Sequence, residues 1–496
     1  MSSSVTSPPA SSPSGSGLLS HMGSHLGMDR LAKLLWWLEL RPRAARMAVL
    51  GAWGVSRLLL FAGLLIRHAY CDPAFYHYAG QFALGRWPYR DVQVEYPPIA
   101  MLLLILPALP LLPFQQIAPR PIYELNVQRH LTHLPLPDPV RYGAYGISFG
   151  IEMLLVDALT LWLVCRAARR LVPGDVLGLR SGLLYIVLVF LNGALLQKFD
   201  LVIGALGLAA VVALVEDRRA LAGVALALAT LVKGFPLLAA PVVVGYYIAR
   251  SRRIRIRAAL EVQARHLRSI AVAFAAVLVV CTALIVGVAG WQPVVHTIFY
   301  HADRGTEIES IYATVIMALG WIPGLAVHTA FNREDLSRVV VSPLSGAVGP
   351  AFILLTGLAL LAAYVAVWQA IQRLHGLRRS RVADGQIALI GITATFLAFL
   401  VMFRALPLHY LLAVLPLAAV IRLPQARLQL IWLAALLAIV LFGEVGVSAW
   451  DSLVLLRPWA VGMLVMRNIA WLVAYGVLIV ALWQWPSAGR MAPQGV

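Results

Sequence analysis

The chain has 496 residues, 61% of them hydrophobic and only 12% charged, with a mean hydropathy of +0.82. That is far more apolar than a soluble domain, so the composition describes an all-α, polytopic membrane protein. The net charge of +18 does not argue for nucleic acid, because Lys and Arg fall in short clusters between apolar runs, where topology signals belong.

Residues 1–27 are rich in Ser, Gly and Pro and read as a disordered tail. No signal-peptide pattern opens the chain, and the first span is expected to act as an uncleaved anchor. Residues 28–46 place Arg30, Lys33, Arg41, Arg43 and Arg46 around Leu35, Trp36, Trp37 and Leu38, which predicts an interfacial helix with its basic side at the headgroups. Apolar run lengths set against a core of roughly 30 Å predict about twelve spans within a transmembrane domain over 47–485. They fall at 47–66, 143–165, 180–197, 201–215, 219–232, 236–249, 270–290, 350–371, 386–404, 409–421, 428–448 and 462–484. Two further apolar stretches, 99–113 with Pro107, Pro110 and Pro113, and 311–327 with Gly320, Pro323 and Gly324, suit re-entrant or interfacial segments better than full crossings. Cys71, Cys165 and Cys281 are odd in number and lie in or beside apolar runs, which supports neither a disulfide framework nor a metal site.

Basic clusters at 41–46, 166–170, 218–219, 250–268, 373–381 and 422–427 share one side if those two stretches do not cross. Both termini, including the tail 486–496, are then cytoplasmic. The opposite face receives a long first loop (67–142) and a second (291–349), and with them Asp72, Asp91, Glu95, Lys198, Asp200, Lys233, His301, Arg304, Glu309, Arg404 and His409. Each alone reads equally well as a helix cap or a snorkelling side chain; Lys198 with Asp200 suits a local ion pair, and His409 a satisfied interface histidine. Their gathering on one face points to a site.

Certain segments resemble a known family. The run from Asp72 to Ala79 (DPAFYHYA), then Gly85 to Asp91 (GRWPYRD) and Glu95-Tyr96-Pro97-Pro98, resembles the first external loop of glycosyltransferase family 87, polyprenyl-phosphate-mannose-dependent mannosyltransferases of the C-type superfamily. Ala222 to Pro236, containing Lys233, is similar to the family's helix-Lys-x-x-Pro element, and His301 to Ser310 to its H-x-x-R-x-x-x-x-E-S stretch. These anchors cover roughly residues 47 to 420, and an insertion at 114–140 departs from the pattern. The resemblance implies a hexosyltransferase, inverting, that moves a sugar, by family mannose, from a polyprenyl-phosphate donor to a glycolipid or glycan acceptor on the non-cytoplasmic face of the cell membrane. It also implies that Asp72 is the catalytic aspartate.

The residues bear on that chemistry independently. A general base must take the acceptor hydroxyl proton, and Asp72 stands where the first span ends; the competing reading is a helix-end carboxylate beside Pro73. The leaving phosphate gains charge that cations must meet: Arg304 with its planar fork first, then His301, Lys233 and Lys198. Arg304 is otherwise a structural partner of Glu307 or Glu309, and Glu309 either orients Arg304 or binds a sugar hydroxyl. Asp91, Glu95, Tyr96, Tyr76, Arg404 and His409 are further substrate-binding candidates. Tyr76, Trp87, Tyr89 and Tyr96 either stack on a sugar or belong to an interfacial aromatic belt. No G-x-G-x-x-G unit opens a nucleotide site, so the donor is expected to be lipid-linked. Asp72, Asp91 and Glu95 could bind a cation, yet metal-independent transfer without cofactor is the expectation. The competing functions are a transporter or flippase of lipid-linked sugars and a catalytically silent assembly partner.

Overall fold

The computed structural model describes residues 28–68, 70–114, 139–251, 256–300, 304–332, 337–374 and 381–485. The tails 1–27 and 486–496, most of the insertion (115–138) and His301 lie outside the described residues. Several helices begin at a proline, as at Pro42, Pro73, Pro98 and Pro458, and one at a serine cap, Ser310. The stretch 28–46 is not one helix: α1 (Met28–Glu39) stops, and Pro42 opens α2 (Pro42–Arg67), so its second half is the first turn of a span. The long first loop is itself helical, with α3 (Pro73–Ala83) and α4 (Pro98–Ile105), the latter running into a 3-10 helix Leu106–Phe114 that carries Pro110 and Pro113. Next come α5 (Pro139–Leu171), α6 (Leu179–Asn192), α7 (Asp200–Val215), α8 (Arg219–Val232), α9 (Ala240–Ser251), α10 (Ile256–Ala289), α11 (Gln292–Phe299) and α12 (Ile311–Leu319). After a hairpin of β1 (His328–Asn332) and β2 (Ser337–Val341) follow α13 (Val348–Arg373), α14 (Arg381–Met402), α15 (Leu415–Ala418), α16 (Ala426–Ser448), α17 (Trp450–Val454) and α18 (Pro458–Trp483).

Seven described helices are long and apolar enough to cross a membrane, namely α2, α5, α10, α13, α14, α16 and α18. The expectation of about twelve spans is corrected in its other five. Four of them, α6, α7, α8 and Phe235–Tyr247, are apolar but run to no more than 17 residues, roughly 25 Å at most against a core of roughly 30 Å. The fifth, 409–421, is no regular helix: a 3-10 turn Leu408–Ala413 leads into the four-residue α15. Irregular backbone is tolerated beside hydrocarbon only when protein surrounds it. Here Leu411, Leu412, Val414, Leu415 and Leu417 are completely buried. The stray carbonyls find donors too: Asn192 reaches Leu408 O (3.3 Å), Gln386 reaches Val420 O (3.1 Å), and Arg422 reaches Ala419 O and Ile421 O (3.0 and 2.8 Å). Gly204 lets α7 lie directly on this segment, since a Cβ there would come within 2.8 Å of Ala413 O.

Burial separates centre from rim. The apolar window of α14 is 89% buried whereas that of α10 is 6% buried, so α14 forms the middle and α10 an outer wall. α7 is apolar on all sides and almost wholly buried, as expected of a helix enclosed by others. Between α2, α5 and α6, Arg57 meets Asp157 through two hydrogen bonds (2.8 and 3.0 Å), and Tyr185 and Trp53 donate to the same carboxylate. At one end of the bundle the basic clusters converge: Arg166, Arg170 and Arg218 surround Glu216 at 2.7, 3.6 and 3.5 Å, Arg180 pairs with Glu39 at 2.7 Å, and Arg422 reaches Ser181 at 2.9 Å.

The all-α expectation omits the hairpin, in which His328 pairs with Val341 and Asn332 with Ser337. Its signal was the β-branched run Val339-Val340-Val341. The loop after Arg304 joins its edge: Ile308 N–H donates to Arg338 O and Val340 N–H to Thr306 O, both at 2.9 Å.

If the basic end is cytoplasmic, exposed positions at the two ends must react from opposite sides. With the three native cysteines replaced by Ala, Arg90→Cys and Val176→Cys in sealed, oriented vesicles should label from opposite faces with an impermeant maleimide. Labelling of both from one face would overturn the topology.

Candidate functional site

A cavity of about 910 Å³ collects the charged groups that the sequence scattered. Asp72, Glu95, Lys198, Lys233, Arg304 and His409 line it, together with Tyr96 and Glu309. Asp72, Lys198 and Lys233 stand at helix ends. Pro73 starts α3, and Asp72 caps it by accepting Ala74 N–H at Oδ1 (3.0 Å); its other oxygen accepts Lys198 Nζ at 2.6 Å. Asp72 is therefore both the cap that Pro73 implied and a cavity carboxylate.

Lys198 and Asp200 do not form the local pair read from the sequence. Asp200 opens α7, where a helix N-terminus favours negative charge, and it is 2% exposed. Antiparallel α8 ends beside it, so Lys233, leaving that helix in extended conformation, places Nζ 2.5 Å from Asp200 Oδ1. The same ammonium lies 4.0 Å over the Tyr410 ring. His409 Nε2 is 3.8 Å from Asp200 Oδ2. Two lysine–aspartate pairs thus stand side by side, Lys198 also facing Phe75 at 5.5 Å.

Arg304 pairs with Glu307, not Glu309, and its buried Nε has no partner among the described residues. Gly305 is required by close approach, since a Cβ there would lie 2.7 Å from Val339 Cγ1. Arg404 does not line the cavity; it donates to Arg304 O at 2.8 Å, and its own carbonyl accepts Glu307 N–H at 3.0 Å, so it supports the loop from beneath. Glu309 turns to Arg467 of α18 at 2.9 Å, so its ion pair is with that helix and not with Arg304.

Other candidates fall elsewhere. Asp91 sits in an exposed turn outside the cavity, where Arg90 and the Trp87 N–H hold its carboxyl down to about 2. Tyr76 is packed among Tyr142 and Tyr145 in the aromatic core and cannot meet a sugar. Trp87 is half exposed and edge-on to Phe82. Tyr89 does line the cavity, and its hydroxyl donates to Tyr96 O at 2.7 Å. Among the described residues no three His, Cys, Asp or Glu side chains converge as a metal-holding group, and the trio Asp72, Asp91 and Glu95 does not assemble. Among the cavity residues given no binding role from the sequence are Asp200, Glu307, Arg338 and Tyr410. Asp200 carried a signal, lying two residues from Lys198 at an expected turn, and so did Glu307, three residues from Arg304 in the polar stretch.

The rest of the wall is apolar. Leu278, Thr282 and Ile285 of α10, Leu238, Phe352 of α13 and Phe399 of α14 line the same space. α10 packs on α8, α9 and α11, while α13 packs on α14, α18 and α9, so the two outer helices share no packed face. Leu278 to Ile285 spans roughly 10 Å of helix, which carries the cavity well down a wall whose outer side faces the surroundings of the bundle. No protein-family model and no curated protein matches the chain.

Removing one partner of a sequestered ion pair strands the other charge. Lys233→Met, which takes from Asp200 its ammonium and leaves only His409 nearby at 3.8 Å, should lower stability by on the order of 3 kcal/mol, read by thermal unfolding in detergent. Adding Asp200→Asn should recover most of the loss, and an unchanged midpoint for Lys233→Met would show that the pair carries no such strain.

Proposed function

We propose that the chain is a membrane glycosyltransferase that moves a sugar, mannose by the resemblance of its loops, from a polyprenyl-phosphate donor to a glycolipid or glycan acceptor on the non-cytoplasmic face. The observation that carries this reading is a single cavity that joins clustered ammonium, guanidinium and carboxylate groups to an apolar wall running down α10. A lipid phosphate needs both: cations for the head, hydrocarbon for the chain. A soluble nucleotide sugar would leave the apolar wall without a use.

In this reading the Asp72 carboxylate takes the proton of the acceptor hydroxyl. The acceptor oxygen attacks the anomeric carbon, the bond from that carbon to the phosphate oxygen breaks, and its electron pair leaves with a phosphate monoester, inverting the centre. Lys198, already 2.6 Å from Asp72, is shared between the base and the departing phosphate, and Arg304 and Lys233 meet the charge that develops. Glu95 and Tyr96 belong to the sugar, as does the Glu309 oxygen that Arg467 does not hold.

Purified protein given polyprenyl-phosphate-mannose and a glycolipid extract should release polyprenyl phosphate. Asp72→Asn keeps shape and removes basicity, so turnover should fall by roughly 10²-fold or more while donor binding survives. Arg304→Ala should lower both turnover and catalytic efficiency, Arg304→Lys less so. Intact donor appearing on the far side of liposomes, with no phosphate released, would favour a flippase and sink the transfer reading.

A further inference from the structure

Arg467 is the tenth residue of α18 and only 2% exposed, roughly 13 Å along a helix long and apolar enough to cross the membrane. A guanidinium there is costly unless every donor has an acceptor, and such a residue is a functional candidate together with its partner. Outside α18, Arg467 bonds only Glu309 among the described residues, and its neighbour Asn468 bonds Glu309, Ser310 and Thr314. Arg467 donates to Glu309 Oε1 (2.9 Å) and Glu309 O (2.5 Å), and twice to the side-chain oxygen of Asn468 (3.1 and 3.0 Å). Asn468 in turn donates to Glu309 O (3.2 Å), Ser310 O (3.3 Å) and Thr314 Oγ1 (2.6 Å). Ser310 caps α12, accepting Ala313 N–H at 3.0 Å.

We propose that Arg467 and Asn468 are positioning residues that, from inside the last span, set the height of the polar loop and thereby hold Arg304 at the cavity wall where the donor phosphate binds. This rests on the transfer reading above. The loop is short enough for the hold to be transmitted: Arg304 lies five residues from Glu309, and the segment between is tied at Glu307 N–H to Arg404 O, at Ile308 N–H to Arg338 O and at Ser310 N–H to Glu307 O. With those ties in place, a shift of Glu309 moves the residues before it. Holding α12 against α18 alone would need no charge, whereas a guanidinium fork that grips the side chain and the carbonyl of one residue fixes where the loop sits and which way it faces.

Binding of polyprenyl phosphate and of neutral polyprenol to the full chain in detergent separates positioning from general stability. Wild type should prefer the phosphate. Arg467→Met should weaken phosphate binding tenfold or more while polyprenol binding stays within twofold, and combining it with Arg304→Ala should cost no more than twofold beyond Arg304→Ala alone. Asn468→Leu, which leaves the ion pair in place, should give a smaller loss of the same kind and serves if Arg467→Met does not fold. Amide exchange at Glu307 and Ile308 should quicken at least tenfold in either variant. Equal losses for both lipids, losses that multiply with Arg304→Ala, or unchanged exchange would overturn the positioning role. A wild type indifferent to the phosphate would instead refute the donor reading, and faster exchange in the variants would still establish the hold on the loop.

Discussion

The constraint on which the rest depends is that no charge beside hydrocarbon can stand alone. Desolvating a single ammonium or carboxylate costs several kcal/mol even after relaxation, and four ion pairs between elements answer that cost among the described residues. Asp72 with Lys198 and Asp200 with Lys233 wall the cavity, Arg57 with Asp157 ties α2 to α5, and Glu309 with Arg467 ties the polar loop to α18. Three of the pairs join elements distant in sequence, and Asp200 with Lys233 joins the far ends of two consecutive helices. Their geometry therefore specifies which helix ends meet, a task that lipid-facing apolar surfaces, all alike, perform poorly.

The same pairing equips the cavity to exchange partners. A carboxylate already bonded to an ammonium beside an empty volume can release that ammonium to an arriving anion without leaving either charge bare, because the anion replaces the lost contact. Asp72 and Lys198 are arranged for such an exchange, with the α3 N-terminus supplying the carboxylate a second donor that stays behind. Arg304 differs: it is held by Glu307 and its carbonyl by Arg404, so its position is set by a loop and not by a helix end.

Backbone regularity follows burial. Where the chain meets its surroundings, as in α2 and α10, it is helical without interruption, because every N–H and C=O must be satisfied within the segment. The stretch from Leu408 to Ile421 is free of that demand. It packs against α7 and α6 and receives side-chain donors from Asn192, Gln386 and Arg422, so it can bend sharply enough to present His409 and Tyr410 to the cavity.

The sequence by itself determined the membrane class, the long spans and many of the charged groups that gather. Run length, hydropathy and basic clustering are properties of consecutive residues, and Asp72, Glu95, Lys198, Lys233, Arg304 and His409 were legible as polar interruptions next to them. Only the tertiary structure decided who partners whom. Asp200 takes Lys233 and leaves Lys198 to Asp72, because antiparallel packing brings the end of α8 to the start of α7, a relation between helices that adjacency in sequence cannot express. Asp91 and Tyr76 looked equivalent to their neighbours, yet one step along a turn or a helix sends a side chain to water or to an aromatic core. Arg467 was invisible within an apolar run, since its partner Glu309 lies in a loop 158 positions away. The segment 409–421 read as a span for the converse reason: hydropathy counts apolar residues and does not register whether lipid or protein surrounds them.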